Sequence, residues 1–144
     1  MHPFPHRYRV RASAGPDAPV VLEADGLPAL QSQPPAEFDG PGDLWSPETL
    51  LCAALADCLL MTFRAIARAS RIPWQALEVS VEGTLEREQG NSHFTRFAID
   101  ARLQVPAGVD PALAERALHK AEAGCLISNS LKGERVLTAT VEVR

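Results

Sequence analysis

Near the amino terminus apolar and polar positions alternate. Tyr8, Val10 and Ala12 fall on one side, and Arg7, Arg9 and Arg11 on the other. A period of two belongs to a half-buried strand, so residues 6–14 are expected to form one. Gly15-Pro16-Asp17 then turns the chain into a second short strand near Val20-Val21-Leu22. Between Asp25 and Trp45 no period is sustained, and much of the chain's Pro and Gly is concentrated there. This stretch reads as a long loop with room for one short strand. A loop of that length is usually functional or covers something.

At Ser46 the period changes. Ser46 as N-cap, Pro47 at the first helical position and Glu48 in the first turn open a helix expected to run to about Ser70. Leu50, Leu51, Ala54, Leu55, Cys58, Met61, Thr62 and Ala65 make a broad apolar face, while Leu59, Leu60, Phe63 and Ile66 lie away from it. A helix apolar nearly all round is expected to be central and covered on several sides. Alternation returns at Leu77, Val79, Val81 and Gly83 and again from Phe97 to Val105, with a Gln89-Gly90-Asn91 turn between the two runs. That is an antiparallel hairpin of long strands. Asp110 and Pro111 open a second helix that ends near Gly124, and a closing strand alternates through Leu137, Ala139, Val141 and Val143. The order of elements predicts an α+β fold, and the 144 residues suit one domain spanning 1–144.

Composition narrows the partners. A formal net charge of -4, with acids and bases interspersed, argues against a nucleic-acid footprint, which needs a basic stripe. The longest apolar run, Thr49 to Phe63, contains Asp57 and falls short of the roughly 20 residues of a membrane span. The amino terminus has no apolar run of a secretory signal. A cytoplasmic protein without a membrane or nucleic-acid partner is expected. Three cysteines at irregular spacing do not read as an extracellular disulfide framework; they are buried thiols or reactive ones.

The candidate chemistry is therefore that of thiols. Cys58 lies inside the first helix, with the uncharged Ala54, Leu55, Met61 and Thr62 at three and four residues' distance. Local sequence alone favours a buried core cysteine there. Cys125 follows the second helix, whose negative C-terminal end disfavours a thiolate. It makes a poor attacking thiol and a reasonable resolving one. Cys52 sits six residues before Cys58, about 120° round the helix, and is read as structural. His2, His6, His93 and His119 show no metal-ligand spacing with the cysteines, so no metal site is expected. No Gly-rich phosphate loop follows a strand, and no Gly-x-Ser-x-Gly elbow is present, so no bound cofactor is expected.

With Gly40-Pro41-Gly42, Ser46-Pro47-Glu48, Ala53-Ala54-Leu55-Ala56-Asp57-Cys58 and Cys125-Leu126-Ile127-Ser128-Asn129 in this order, the chain resembles the OsmC/Ohr family of osmotically inducible and organic hydroperoxide resistance proteins. The resemblance covers nearly the whole chain. It implies an intertwined homodimer of antiparallel sheets around long central helices, with sites at the subunit interface. It implies a cysteine-based peroxidase: Cys58 peroxidatic, Cys125 resolving, and Glu48 orienting an activating arginine. The implied substrate is an organic hydroperoxide, and the implied reductant an external dithiol such as a lipoylated protein. Glu48 and Cys58 are separated by ~15 Å along a continuous helix at 1.5 Å per residue. Glu48 then acts through an arginine's length or serves the second subunit's site. In one respect the chain departs from the family: residues 12–63 contain no Arg or Lys. The loop that carries the family's activating arginine offers Asp17, Glu23, Asp25, Glu37, Asp39 and Asp43 instead. That departure keeps open an alternative, a non-peroxidase relative that binds an apolar small molecule or senses redox state. Leu126 also stands where the family commonly has proline.

Overall fold

In the computed structural model, which describes residues 1–144, the expected first strand is confined to Arg11–Ser13 (β1). It pairs antiparallel with Val20–Glu23 (β2), which pairs antiparallel with Leu30–Ser32 (β3). The residues before Arg11 follow the strand pattern in sequence but have no neighbouring strand to hydrogen-bond; Tyr8 and Val10 are exposed. The chain divides into two compact units, Met1–Leu50 and Leu51–Arg144, and this sheet belongs to the first. The long loop carries β3 and a 3₁₀ turn, Ala36–Phe38. Gly40 is required where this loop folds back: a Cβ there would come within 1.8 Å of the Pro34 carbonyl oxygen.

The helix Pro47–Ser70 (α1) starts and stops where the sequence places it. Ser46 is buried, and its hydroxyl accepts the Thr49 N–H at 3.1 Å while the Ser46 N–H donates to Thr49 Oγ1 at 2.9 Å. This reciprocal cap satisfies donors that an uncapped helix leaves orphaned. At the far end Arg71 takes a left-handed φ of 54°, Ile72 N–H closes on Ala67 O at 2.9 Å, and Pro73 prevents continuation. By length and composition α1 is long and apolar enough to cross a membrane, which corrects the estimate drawn from the shorter run Thr49–Phe63. Here it is a core helix on one side.

Residues 51–144 are organised around one strand. Ala76–Glu88 (β4) and Asn91–Val105 (β5) form the expected hairpin, turning through Gln89 and Gly90 with φ of 50° and 83°. Pro111–Gly124 (α2) begins on Asp110, whose carboxylate accepts the Ala112 N–H at 3.0 Å. Glu134–Val143 (β6) then joins β5, giving the sheet order β4-β5-β6. One pairing differs from the all-antiparallel expectation: β6 runs parallel to β5. The reason is the connection, since a helix between two strands returns the chain to the end from which it started.

Phe97, Ile99, Ala101, Leu103 and Val105 of β5 are buried, and the helices cover this face. α1 contributes Leu55, Leu59, Phe63 and Ala67, a stripe at intervals of four. This revises the face read from sequence: only Leu55 of the broad face Leu50–Ala65 is fully buried, and Leu59 and Phe63 turn inward. The opposite side of α1 is open, with Met61 57% exposed. The α+β class holds.

Candidate active site

Two elements bring the sulfurs together. Cys58 is one residue short of the inward stripe, so its side chain lies at the edge of the α1–sheet contact, half-buried. Cys125 is the C-cap of α2, and its N–H donates to Glu122 O at 3.2 Å. It is fully buried in a cluster with Leu55, Leu59, Phe97 and Ile99, against which Cys58 and Cys52 also pack. Cys58 thus packs against the same apolar cluster that holds Cys125. The sequence places the two cysteines only on separate elements; the packing of α1 and α2 on one face of β5 makes them neighbours.

Their electrostatics differ. Burial pushes the Cys125 thiol up to about 11, and the adjacent Cys58 thiol adds to the rise by hydrogen bonding and by charge. The amides of Ser128 and Ile127 act in the opposite sense, and Ser128 N–H lies 3.4 Å from Cys125 Sγ. Cys58 has a second polar neighbour: Thr62 Oγ1 stands 4.0 Å from its sulfur while donating to Cys58 O at 2.7 Å. A threonine one turn on along a helix commonly bonds the preceding carbonyl in this way. Cys52 is also raised, by burial, against a weaker opposing hydrogen bond from the Gly83 backbone. A Cβ on Gly83 would meet the Cys52 sulfur at 2.9 Å and the Phe94 ring at 2.8 Å. Cys52 thus fills a slot that the glycine leaves open.

Glu48 lies on the first turn of α1, which is unbroken from there through Cys58. One of its carboxylate oxygens, Oε2, is buried with no hydrogen-bond partner. An unpaired buried carboxylate oxygen is costly, and an arginine is the donor whose geometry best suits it. Arg11, on the first strand, is engaged elsewhere: it pairs with Glu23 at 2.6 Å on an exposed face.

Three residues around Cys125 carry no sequence signal of their own, apart from the place of Ser128 in Cys-x-x-Ser-Asn. The buried Ser128 hydroxyl donates to Glu122 Oε1 at 2.6 Å, and Arg135 Nε stands 3.6 Å from the same oxygen. Arg135 Nη1 also donates to Leu131 O at 3.0 Å and Gly133 O at 2.8 Å. Beside this corner is a cleft of about 480 Å³ whose walls include Leu51, Phe94, Phe97, Leu131 and Lys132. Four of these also belong to the apolar cluster around the sulfurs. Leu51 and Leu55 pack in this cluster, whereas Met61 is exposed. No group of three or more His, Cys, Asp or Glu side chains is placed to hold a metal ion.

Known proteins resemble this arrangement. YmaD, an uncharacterised protein of Bacillus subtilis, is 31% identical over 115 residues, 76% of this chain and 75% of its own. The peroxiredoxin OsmC of Escherichia coli is 27% identical over 92 residues, 64% of each chain. Among solved structures, an OsmC-like protein of unknown function from Vibrio cholerae superposes with a TM-score of 0.81 at 18% identity, covering 96% of this chain and 99% of its own. An organic hydroperoxide resistance protein OsmC from Legionella pneumophila gives 0.75 at 26% identity, with coverage of 96% and 98%. Residues 40–140 match the OsmC-like protein family, from the glycine-rich approach through both cysteines into β6, and the chain belongs to that family.

Proposed function

We propose that the protein is a thiol-dependent peroxidase that reduces organic hydroperoxides through Cys58 and Cys125. The observation that carries this reading is the packing of the two thiols, one half-buried and one buried, in one apolar cluster beside an apolar cleft. Family membership supports a peroxidase-type role in general, and the names of the Escherichia coli and Legionella pneumophila relatives point to hydroperoxides. In the cycle Cys58 thiolate attacks the distal oxygen of the peroxide. An S–O bond forms and the O–O bond breaks. The alcohol leaves with a proton, and Cys58 becomes a sulfenic acid. Cys125 then displaces hydroxide from that sulfur, which departs as water, leaving a Cys58–Cys125 disulfide. An external dithiol, such as a lipoylated protein, returns both to thiols and is itself oxidised to a disulfide.

Glu48 takes the orienting role, its unpartnered oxygen receiving an arginine within the subunit or from a second copy. The uncovered side of α1 supports a homodimer as the working form. Residues 1–144 are read as one OsmC-like domain in a cytoplasmic protein; the family match begins at residue 40, within the first compact unit, and continues through the second to residue 140. The test is consumption of cumene hydroperoxide with a dithiol reductant. Cys58→Ser is expected to abolish it, and Cys125→Ser to leave Cys58 trapped as sulfenic acid that a dimedone probe captures. Undiminished turnover in Cys58→Ser would sink the proposal.

One observation favours a second reading, a relative that binds an apolar molecule or senses redox state: no Arg or Lys occurs in residues 12–63. The pH dependence of Cys58 alkylation separates the two. A midpoint below about 7 marks an activated thiolate, and one at or above about 8.5 an ordinary thiol.

A further inference from the structure

Cys125 sits at the start of a loop, yet its surroundings are fixed by side chains that the peroxidase cycle leaves without a task. Glu122 lies on the last turn of α2 and meets the following segment twice. Its backbone oxygen accepts the Cys125 N–H at 3.2 Å, and its carboxylate accepts the Ser128 hydroxyl at 2.6 Å. Ser128 is fully buried and aims its own N–H at Cys125 Sγ, 3.4 Å away. From the other end of the loop Arg135 holds Nε 3.6 Å from the same Glu122 oxygen and clasps the carbonyls of Leu131 and Gly133. A continuous chain of contacts thus runs from Arg135 through Glu122 and Ser128 to the Cys125 sulfur.

We propose that Glu122, Ser128 and Arg135 are positioning residues for the resolving step, holding the Ser128 amide on the Cys125 sulfur so that the attacking thiolate is stabilised. The inference rests on the peroxidase reading and adds the groups that make its second half-reaction run. In that step Cys125 gives up a proton to solvent and its sulfur bonds to Cys58. The S–O bond of the sulfenic acid breaks, and hydroxide leaves and is protonated to water. Cys125 is oxidised and the Cys58 sulfur reduced.

Two features oppose the thiolate, namely burial and the negative end of α2. Besides Cys125, the charged or titratable groups here are Glu122 and Arg135 in the chain of contacts and Cys52 and Cys58, which pack against the same apolar cluster. A hydrogen bond to an anion is stronger than one to a neutral thiol, so an amide held on the sulfur favours the ionised form selectively. Ser128 supplies that amide, and the Glu122 carboxylate fixes its rotamer and thereby its loop. Arg135 offsets the Glu122 charge, which would otherwise lie within one turn of a second developing anion. Side-chain exposures of 27% for Arg135 and 24% for Glu122 keep the pair largely out of bulk water, where salt screens little.

The step can be isolated from peroxide chemistry. In a Cys52→Ser background, Cys58 is loaded as a mixed disulfide with thionitrobenzoate, and release of the coloured thiolate reports attack by Cys125. This readout does not depend on whether Cys58 reacts with hydroperoxide, so failure of the peroxidase reading and failure of the inference are separate results. Ser128→Ala, which loses a hydrogen bond to a charged group, is expected to slow release roughly tenfold or more, and Arg135→Gln, which removes the positive charge facing Glu122, to slow it in the same direction; both are expected to raise the midpoint of its pH profile. Ser128→Thr, which keeps the hydroxyl, is expected to restore both rate and midpoint. Release at the parent rate with an unmoved midpoint in folded Ser128→Ala and Arg135→Gln would overturn the proposal. Should Ser128→Ala fail to fold, Arg135→Gln, at a part-exposed side chain, decides by the same readout.

Discussion

Cys52 and Cys125 are both held as thiols by burial, but only Cys125 has a second thiol for a neighbour. That difference has a consequence for stability. The folded state keeps the Cys125 proton to about 11, above the ordinary value of 9.0, so between these values the unfolded chain binds fewer protons than the folded one. Stability from the neutral thiol is therefore fully present below about pH 9 and is lost as pH rises through about 11. Thermal unfolding of the parent and Cys125→Ala followed across this alkaline window should show the steeper decline in the parent. Gly83 makes a complementary point about Cys52. Adding a methyl group that would sit 2.9 Å from its sulfur, as in Gly83→Ala, is expected to cost about 1–3 kcal/mol in denaturant unfolding. Neither effect is legible in the sequence, where Gly83 is only a gap in an alternating strand.

Helix α1 shows how far local rules reach. Its start at Ser46-Pro47 and its stop before Pro73 follow from caps and backbone restrictions, which act within a turn, and both were legible. The face it buries was not, because nearly every side of it is apolar and the choice belongs to the sheet. The buried stripe Leu55, Leu59, Phe63 and Ala67 is the one that meets β5. Leu59→Ala is accordingly expected to destabilise by about 2–5 kcal/mol, and Met61→Ala, on the exposed side, by well under 1 kcal/mol, as read by urea unfolding. Strand β6 makes the same case. Its alternation identifies a strand, while its parallel direction follows from the α2 crossover. At its entrance Gly133 is pressed against β5, where a Cβ would come within 2.9 Å of Phe94 O.

An exposed apolar helix side on a chain of this size implies a covering surface, and the proposed homodimer supplies one. Met61→Glu is expected to weaken self-association in sedimentation velocity while leaving the circular dichroism of the chain intact. Persistence of the parent's association state in that variant would direct the search for an interface elsewhere. Order of elements, helix limits, hairpin and family were determined by sequence alone, because periodicity, caps and turn residues act over a few neighbouring positions. Which side of α1 is buried, which way β6 runs, that Cys58 and Cys125 share one apolar cluster, and that Ser128, Glu122 and Arg135 surround Cys125 were decided only by the tertiary structure. Those outcomes depend on contacts between residues far apart in the chain, which exist only once α1 and α2 share one face of β5.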